Sequence, residues 1–306
     1  LQDQHEVIQV LFAEGRALIE AASGVRGVVA GTESWSREII EAVGPELEVI
    51  SRVGTGVDSV DLKAATDHGI AVLNAPGENA QTIAELSVGL MWGLSRRIVE
   101  ADRAVRTTGF LMRTEMDGLE LWGKTVGIVG FGEIGRRVAA MCQHGFGMSV
   151  LVTTAHPDPE RLESAGVDAL FVELDALLDR ADFVALHAAV NPQTERMIGE
   201  IELKAMKPSA YLINTSRGQL VDENALVAAL SDGDIAGYGA DVFDVEPPPA
   251  DHPFFSLSNT ILTPHYGSGT YEAMTRMSDR AVTNLIECLA GERPDRTVNP
   301  EVYERH

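Results

Sequence analysis

Two cysteines, Cys142 and Cys288, are all that the 306 residues contain, and no CxxC spacing accompanies them. That scarcity excludes a disulfide framework or a thiolate metal site as an organising device. No metal is expected, and a reducing compartment, the cytoplasm, is the expected location. Basic residues are also few, 24 Lys and Arg against 46 Asp and Glu, for a formal charge of −22. So acidic a surface repels nucleic-acid phosphates and anionic membrane headgroups. Neither is an expected partner, and an anionic substrate would need positive charge concentrated in one place. No apolar run approaches the roughly 20 residues of a membrane-spanning helix. The opening LQDQHEVIQV has neither the basic n-region nor the apolar h-region of a secretory signal. Repeats and low-complexity tracts are missing too, VEPPPADHP being a local proline-rich loop.

What is present is regular alternation, over a length that suggests two domains. In the first ninety or so residues, β-rich runs (GVRGVVAG, LEVISRVG, IAVLNAP) alternate with helix-like segments (SREIIEAVG, DLKAATDHG). Strands separated by helices imply a parallel sheet with crossovers. The chain opens on polar residues where such a domain normally opens on an apolar strand, so a first strand is expected to be missing or disordered. One long helix is expected from Thr82 to about Thr107, apolar nearly all round at its start, hence buried and able to bridge two domains. From Lys124 the alternation restarts with TVGIVG, MSVLVTT, FVALHA, AYLINTS, IAGYGADV and TILTP as strands. The fold class is therefore α/β, two doubly wound parallel-sheet domains in series, with a last helix at Tyr271 to Ala290 that could pack on the first domain.

Gly130, Gly132 and Gly135 form G-F-G-E-I-G between an apolar strand and a helix. The first glycine permits a tight turn, the second lets backbone approach a pyrophosphate, and the third allows close helix–strand packing. The helix N-terminus at Glu133 and Ile134 then offers N–H groups and partial positive charge to phosphates. An ordinary glycine-rich turn is the plain alternative. The flanking strands favour a dinucleotide site. An acid at the end of the second strand would bind the ribose hydroxyls and repel a 2′-phosphate. Thr153 and Thr154 stand there instead, and neither Arg nor Lys follows until Arg161. NAD is expected, with NADP possible.

Three further segments end predicted strands, where open α/β sheets bind ligands: INTSRG with Arg217, ADVFDVEPPP with Glu246, and TPHYGSG with His265. A guanidinium fork can hold a carboxylate and polarise a carbonyl. A histidine can give or take the alcohol proton, and a carboxylate beside it would orient it and favour its protonated form. Each residue alone could be a solvated loop charge. Their order after a dinucleotide cradle points to hydride transfer on a 2-oxo acid.

With RVGTGVDSVDLKAATDHGIAVLNAPGENAQTIAEL, GKTVGIVGFGEIGRRVA, INTSRGQLVDENALVAAL, GYGADVFDVEPP and ILTPHYGSGT in this order, the chain resembles the D-isomer-specific 2-hydroxyacid dehydrogenases. The phosphoglycerate dehydrogenase branch is the one it is most like. The resemblance implies a flavodoxin-like substrate domain, residues 1–97 and 272–306, into which a Rossmann nucleotide domain, residues 98–271, is inserted. It implies that Arg217 binds substrate while Glu246 and His265 handle the proton. Asp241 would hold the nicotinamide amide, with Thr215 beside the nicotinamide. Backbone N–H groups of Gly54, Thr55 and Gly56 would form an anion nest for the substrate carboxylate. Arg52 is the candidate for a distal phosphate, with a solvated charge as its alternative. Closure of the domains would exclude water. Dimerisation through the nucleotide domain would use the segment from Arg97 to about Thr114.

Three departures bear on substrate and cofactor: Thr154 in place of an acid, Leu111 where relatives often have tryptophan, and Tyr266-Gly267 in place of a small aliphatic pair. Candidate substrates are 3-phosphoglycerate, hydroxypyruvate and glyoxylate. Formate- and phosphite-oxidising siblings are disfavoured by Glu246 and Thr55, which replace an amide and a lysine. An NAD-sensing corepressor-like binding protein is the alternative from another class.

Overall fold

The structure, a computed structural model, describes residues 6–10, 13–108 and 117–304. Leu111 and the 109–114 part of the expected dimer segment lie outside them. The chain divides into two compact units, 1–79 with 268–306, and 80–267.

The first unit runs α1 (Gly15–Ala22), β1 (Gly27–Ala30), α2 (Arg37–Val43), β2 (Val49–Arg52), α3 (Leu62–Asp67) and β3 (Ala71–Leu73). Its three strands are parallel in the order β1-β2-β3. The described residues ahead of β1 hold α1 and no strand. Side chains set the helix starts: Ser36 Oγ accepts the N–H of Ile39 at 3.4 Å, and Asp61 Oδ1 that of Ala64 at 2.8 Å. Trp35, Ile40, Ile50 and Val72 are buried between helices and sheet.

The second unit runs α4 (Ala80–Ser95), α5 (Ile98–Thr108), β4 (Thr125–Val129), α6 (Glu133–Ala140), β5 (Ser149–Thr153), α7 (Pro159–Ala165), β6 (Ala169–Phe171), α8 (Leu174–Arg180), β7 (Phe183–Leu186), α9 (Glu200–Ala205), β8 (Tyr211–Asn214), α10 (Glu223–Asp232), β9 (Gly237–Ala240) and β10 (Thr260–Leu262). The chain then re-enters the first unit with α11 (Tyr271–Leu289), which packs on β1, β2 and β3. Thr270 caps that helix by accepting the N–H of Ala273.

The expected single helix over 82–107 is two helices. Arg97 turns left-handed, at φ 52°, and the carbonyl of Ser95 accepts the N–H of Leu119 at 2.7 Å rather than continuing the helical ladder. The apolar girth of α4 follows from its burial against α6, β8 and β9. It therefore belongs to the second unit, whose border falls at residue 80 where the sequence reading places it at 98.

All seven strands of the second sheet are parallel, in the order β10-β9-β8-β7-β4-β5-β6. Its apolar faces are both covered, by Leu177, Leu203 and Leu226 on one side and Met91, Val138 and Cys142 on the other. Strand order reverses between β4 and β7. Loops leaving the C-terminal ends of these strands diverge there, which opens the crevice where doubly wound sheets bind ligands.

Candidate active site

The turn after β4 sits at that reversal. Gly130 has φ +95°, and a Cβ on it would stand 2.6 Å from the backbone of His187 and Ala188, which leave β7. A Cβ on Gly135 would stand 2.1 Å from the carbonyl oxygen of Gly130. These two glycines let the turn fold flat against its neighbours. Gly132 differs: nothing lies within 4 Å of a Cβ placed there, and as the residue before α6 it makes no side-chain cap. Open space over uncapped helix N–H groups fits a dinucleotide pyrophosphate. Glu133 turns its carboxylate along its own helix to Arg136 and, at 2.7 Å, Arg137. Hydrogen bonds from Arg136 and then Arg137 hold that carboxyl below its usual range. Ile134 is half-buried. At the end of β5, the Thr153 hydroxyl donates to the carbonyl of Val172 at 2.8 Å, and half-buried Thr154 follows it.

The loops after β8, β9 and β10 carry the other candidates. Asn214 folds the first loop on itself: its Oδ1 accepts the N–H of Ser216 at 3.0 Å and its Nδ2 donates to the carbonyl of Arg217 at 2.8 Å. Ser216 Oγ donates to the carbonyl of Leu186 at 2.9 Å. The Thr215 hydroxyl lies 2.6 Å from that of Ser87 on α4. Arg217, half-buried, is thus presented from a backbone with little freedom.

His265 Nδ1 lies 2.5 Å from Glu246 Oε2, the strands that lead to these residues being neighbours. Glu246 Oε1 accepts the N–H of Phe243 at 3.0 Å, which fixes the carboxylate from behind. His265 has a positive φ, 50°, a conformation that persists in a non-glycine residue only where the surroundings impose it. Asp241 imposes it. Buried, with both oxygens in use, it accepts from Thr263 Oγ1 at 2.6 Å, Tyr266 N at 3.0 Å and Gly267 N at 2.8 Å. The residue expected to hold a nicotinamide amide thus braces the turn that presents His265.

In the first unit, the loop after β2 holds Arg52, Gly54, Thr55 and Gly56. Gly54 gives its N–H to the carbonyl of Arg52 at 3.0 Å, so of the three expected donors Thr55 and Gly56 remain. Arg52 bends back: a guanidinium N–H donates to the carbonyl of Val53 at 2.5 Å, and a Cβ on Gly54 would meet that nitrogen at 3.0 Å. Asn74 Nδ2 donates to the carbonyl of Thr55 at 2.7 Å and Thr55 Oγ1 to Asn79 Oδ1 at 3.2 Å, which supports the loop from below.

His187, directly after β7, adds a histidine to this crevice. Both its ring nitrogens are buried without a hydrogen-bond partner, though the residue keeps some exposed surface, and burial pushes the imidazole down to about 4. In the sequence only its place directly after an apolar strand marks it. The positioning side chains Asn214, Gln219, Glu223 and His252 carry no mark in the sequence. Among the described residues no group of three or more His, Cys, Asp or Glu could hold a metal, and no helix is long and apolar enough to cross a membrane.

Residues 88–267 match the family model described as D-isomer specific 2-hydroxyacid dehydrogenase, NAD binding domain. The chain is 42% identical over 278 residues to a glyoxylate reductase of Thermococcus litoralis, covering 89% of this chain and 82% of that protein. A glyoxylate reductase of Korarchaeum cryptofilum is 41% identical over 276 residues, again covering 89% and 82%. Among solved structures, the TT0316 protein from Thermus thermophilus superposes with a TM-score of 0.86 at 37% identity, over 96% of this chain and 92% of that one.

Proposed function

The chain belongs to the D-isomer-specific 2-hydroxyacid dehydrogenase family, and on that premise we propose that Arg217, Glu246 and His265 carry its reaction. It is an NAD(P)-dependent oxidoreductase that transfers hydride between a nicotinamide cofactor and 2-oxo or 2-hydroxy acids. The observation that carries the residue assignment is the 2.5 Å contact of His265 with Glu246, on loops one and two strands from Arg217.

The bound cofactor supplies the hydride. Arg217 holds the substrate carboxylate through two parallel hydrogen bonds and polarises the adjacent carbonyl. His265 keeps its Nδ1–H bonded to Glu246 and donates the proton on Nε2 to the forming alkoxide. Glu246 fixes the ring orientation. In the oxidative direction Nε2 takes the proton back. Gly132, Glu133, Ile134 and Gly135 would hold the pyrophosphate through backbone N–H groups, while Gly130, whose own N–H goes to the carbonyl of Thr153 at 2.8 Å, shapes the turn, and Thr154 would lie beside the adenosine ribose. Arg161 pairs with Asp158 at 3.5 Å, which supports a lean to NAD over NADP. Thr215 and Asp241 act as supports of the Arg217 and His265 loops.

For the substrate we propose a small 2-oxo acid, glyoxylate or hydroxypyruvate. The names of the relatives support glyoxylate. The Thr55–Gly56 loop is a candidate carboxylate site of the first unit. A homodimer through the second unit is supported by exposed Trp92, Ile98, Val99 and Val105 on α4 and α5. The two free thiols support a cytoplasmic setting. Initial rates of NADH and NADPH oxidation with glyoxylate, hydroxypyruvate, phosphohydroxypyruvate, pyruvate and an aryl 2-oxo acid test this reading. Preference for phosphohydroxypyruvate would return Arg52 to a phosphate role, and no turnover of any would favour the nucleotide-binding alternative.

A further inference from the structure

A second histidine–carboxylate pair lies in the seven-stranded unit, and no step above uses it. His252, largely buried, places Nε2 3.2 Å from Glu223 Oε2. The other oxygen, Glu223 Oε1, accepts the N–H of Asp244 at 2.9 Å. One carboxylate therefore ties together residues 244 and 252, the two ends of the proline-rich loop on which Glu246 stands.

The same peptide is held from its other side. Gln219 Nε2 donates to the carbonyl of Asp244 at 2.8 Å, so Asp244 is gripped at both N–H and C=O by the segment that follows Arg217. The two backbones are so close that a Cβ on Gly218 would stand 2.0 Å from the carbonyl carbon of Phe243. Phe243 gives its own N–H to Glu246, and its ring meets that of His252 edge-on, with centroids 5.6 Å apart. The loop that would bind the carboxylate and the loop that would orient the proton donor are thus locked in register.

We infer that Glu223, with His252, is a positioning pair that fixes Glu246 against His265 and sets both relative to Arg217. The inference rests on the roles proposed above for those three residues. Neither Glu223 nor His252 touches the reacting atoms; each acts through the backbone of 243–246. Misplacement of reacting groups by about 1 Å can cost about a hundredfold in rate, so a loosened loop should be visible in turnover.

The experiment uses the full chain with glyoxylate and NADH, comparing Glu223→Ala and Glu223→Gln with Glu246→Gln as reference. Two quantities are read: amide hydrogen exchange across residues 243–254, and the pH profile of kcat/KM. Glu223→Ala should lose protection in that segment by about tenfold or more and lower kcat by about tenfold while KM for NADH holds. Its pH profile should move toward that of Glu246→Gln. Glu223→Gln keeps an acceptor for Asp244 but sets an amide N–H against His252 Nε2, whose Nδ1 already accepts from Phe254, so it should recover only part of both. Unchanged exchange in Glu223→Ala would overturn the clamp. A loosened loop with an unmoved profile and kcat would reduce the pair to a structural role and overturn the inference alone. Full activity of Glu246→Gln would instead overturn the catalytic reading, and this inference with it. If Glu223→Ala does not fold, Glu223→Gln and His252→Gln are judged by the same two readouts.

Discussion

The C-terminal edge of the seven-stranded sheet has two halves that are built differently. Past β8, β9 and β10, nearly every turn is pinned by a side chain: Asn214 and Ser216 under Arg217, Glu223 and Gln219 on the Glu246 loop, Asp241 under His265. Past β4, β5 and β7, glycines fold the turn and open space lies over Gly132, while the ring nitrogens of His187 are buried without a hydrogen-bond partner. The difference follows from what each half must present. Proton transfer and carboxylate capture need side-chain atoms held to a few tenths of an ångström. A pyrophosphate is met by backbone N–H groups and a helix dipole, for which the chief requirement is the absence of side chains.

The largest test of that contrast is in the pinned half. His265→Ala should lower kcat by about 10² to 10⁴-fold, the usual worth of a positioned general acid, with NADH affinity and thermal midpoint close to those of the parent. Steady-state rates beside a cofactor-binding titration check this. Retained turnover would remove His265 from the chemistry, and a collapse of cofactor affinity would dissolve the division between the halves. Arg217→Lys comes next. One ammonium cannot reproduce the guanidinium fork, so kcat/KM for glyoxylate should fall by about tenfold to a hundredfold, corresponding to the roughly 1.5–3 kcal/mol of a charged hydrogen bond. KM for NADH should hold.

The two halves also differ in how far they can be read from sequence. The cradle is local: Gly130 to Gly135 and the strand before them are contiguous, and the physical demands on each glycine are visible in the string. Arg217, Glu246 and His265 are legible as chemistry at strand ends, and the contact of the last two follows from β9 lying beside β10. What holds them is not legible. Glu223 reaches Asp244 across 21 residues and His252 across 29, and nothing in VDEN or ADHP marks either end. The bracing work of Asp241 is equally hidden, because its partners Thr263, Tyr266 and Gly267 arrive from the next strand. Elements α1, α7, α9 and β6 span three to eight residues, too short for a helical or strand period to stand out. The break at Arg97 depends on Leu119 taking the Ser95 carbonyl, a contact outside any local window.

In the bare half, His187 makes a thermodynamic prediction. Its imidazole is pushed down to about 4 from an ordinary 6.5 by burial. Between those values the unfolded chain binds a proton that the folded chain does not, so stability falls as pH drops through that window. The full difference is about 3 kcal/mol, reached near pH 4. Urea unfolding of the parent and of His187→Gln from pH 7 to 4 isolates this contribution, since the carboxylates are common to both. The parent should lose more stability than the variant, and parallel curves would show that the ring is not desolvated as the structure has it.

The smallest effect concerns the ribose end of the same half. Thr154 follows β5 where an acid would repel a 2′-phosphate, and the neighbouring hydroxyl of Thr153 is committed to Val172. A carboxylate introduced at a half-buried position needs no new pocket, because the space beyond a strand end is solvated, and it acts only on the cofactor that carries a charge there. Thr154→Asp should therefore leave kcat/KM for NADH within about twofold. It should lower that for NADPH by about five- to tenfold, in keeping with the roughly 1 kcal/mol typical of an exposed charge pair. The ratio of the two, measured at low salt and again at high salt, separates charge from shape. A ratio that changes at low salt and relaxes at high salt places the 2′-phosphate beside residue 154, whereas an equal loss with both cofactors would mean that the variant had disturbed the β5 turn.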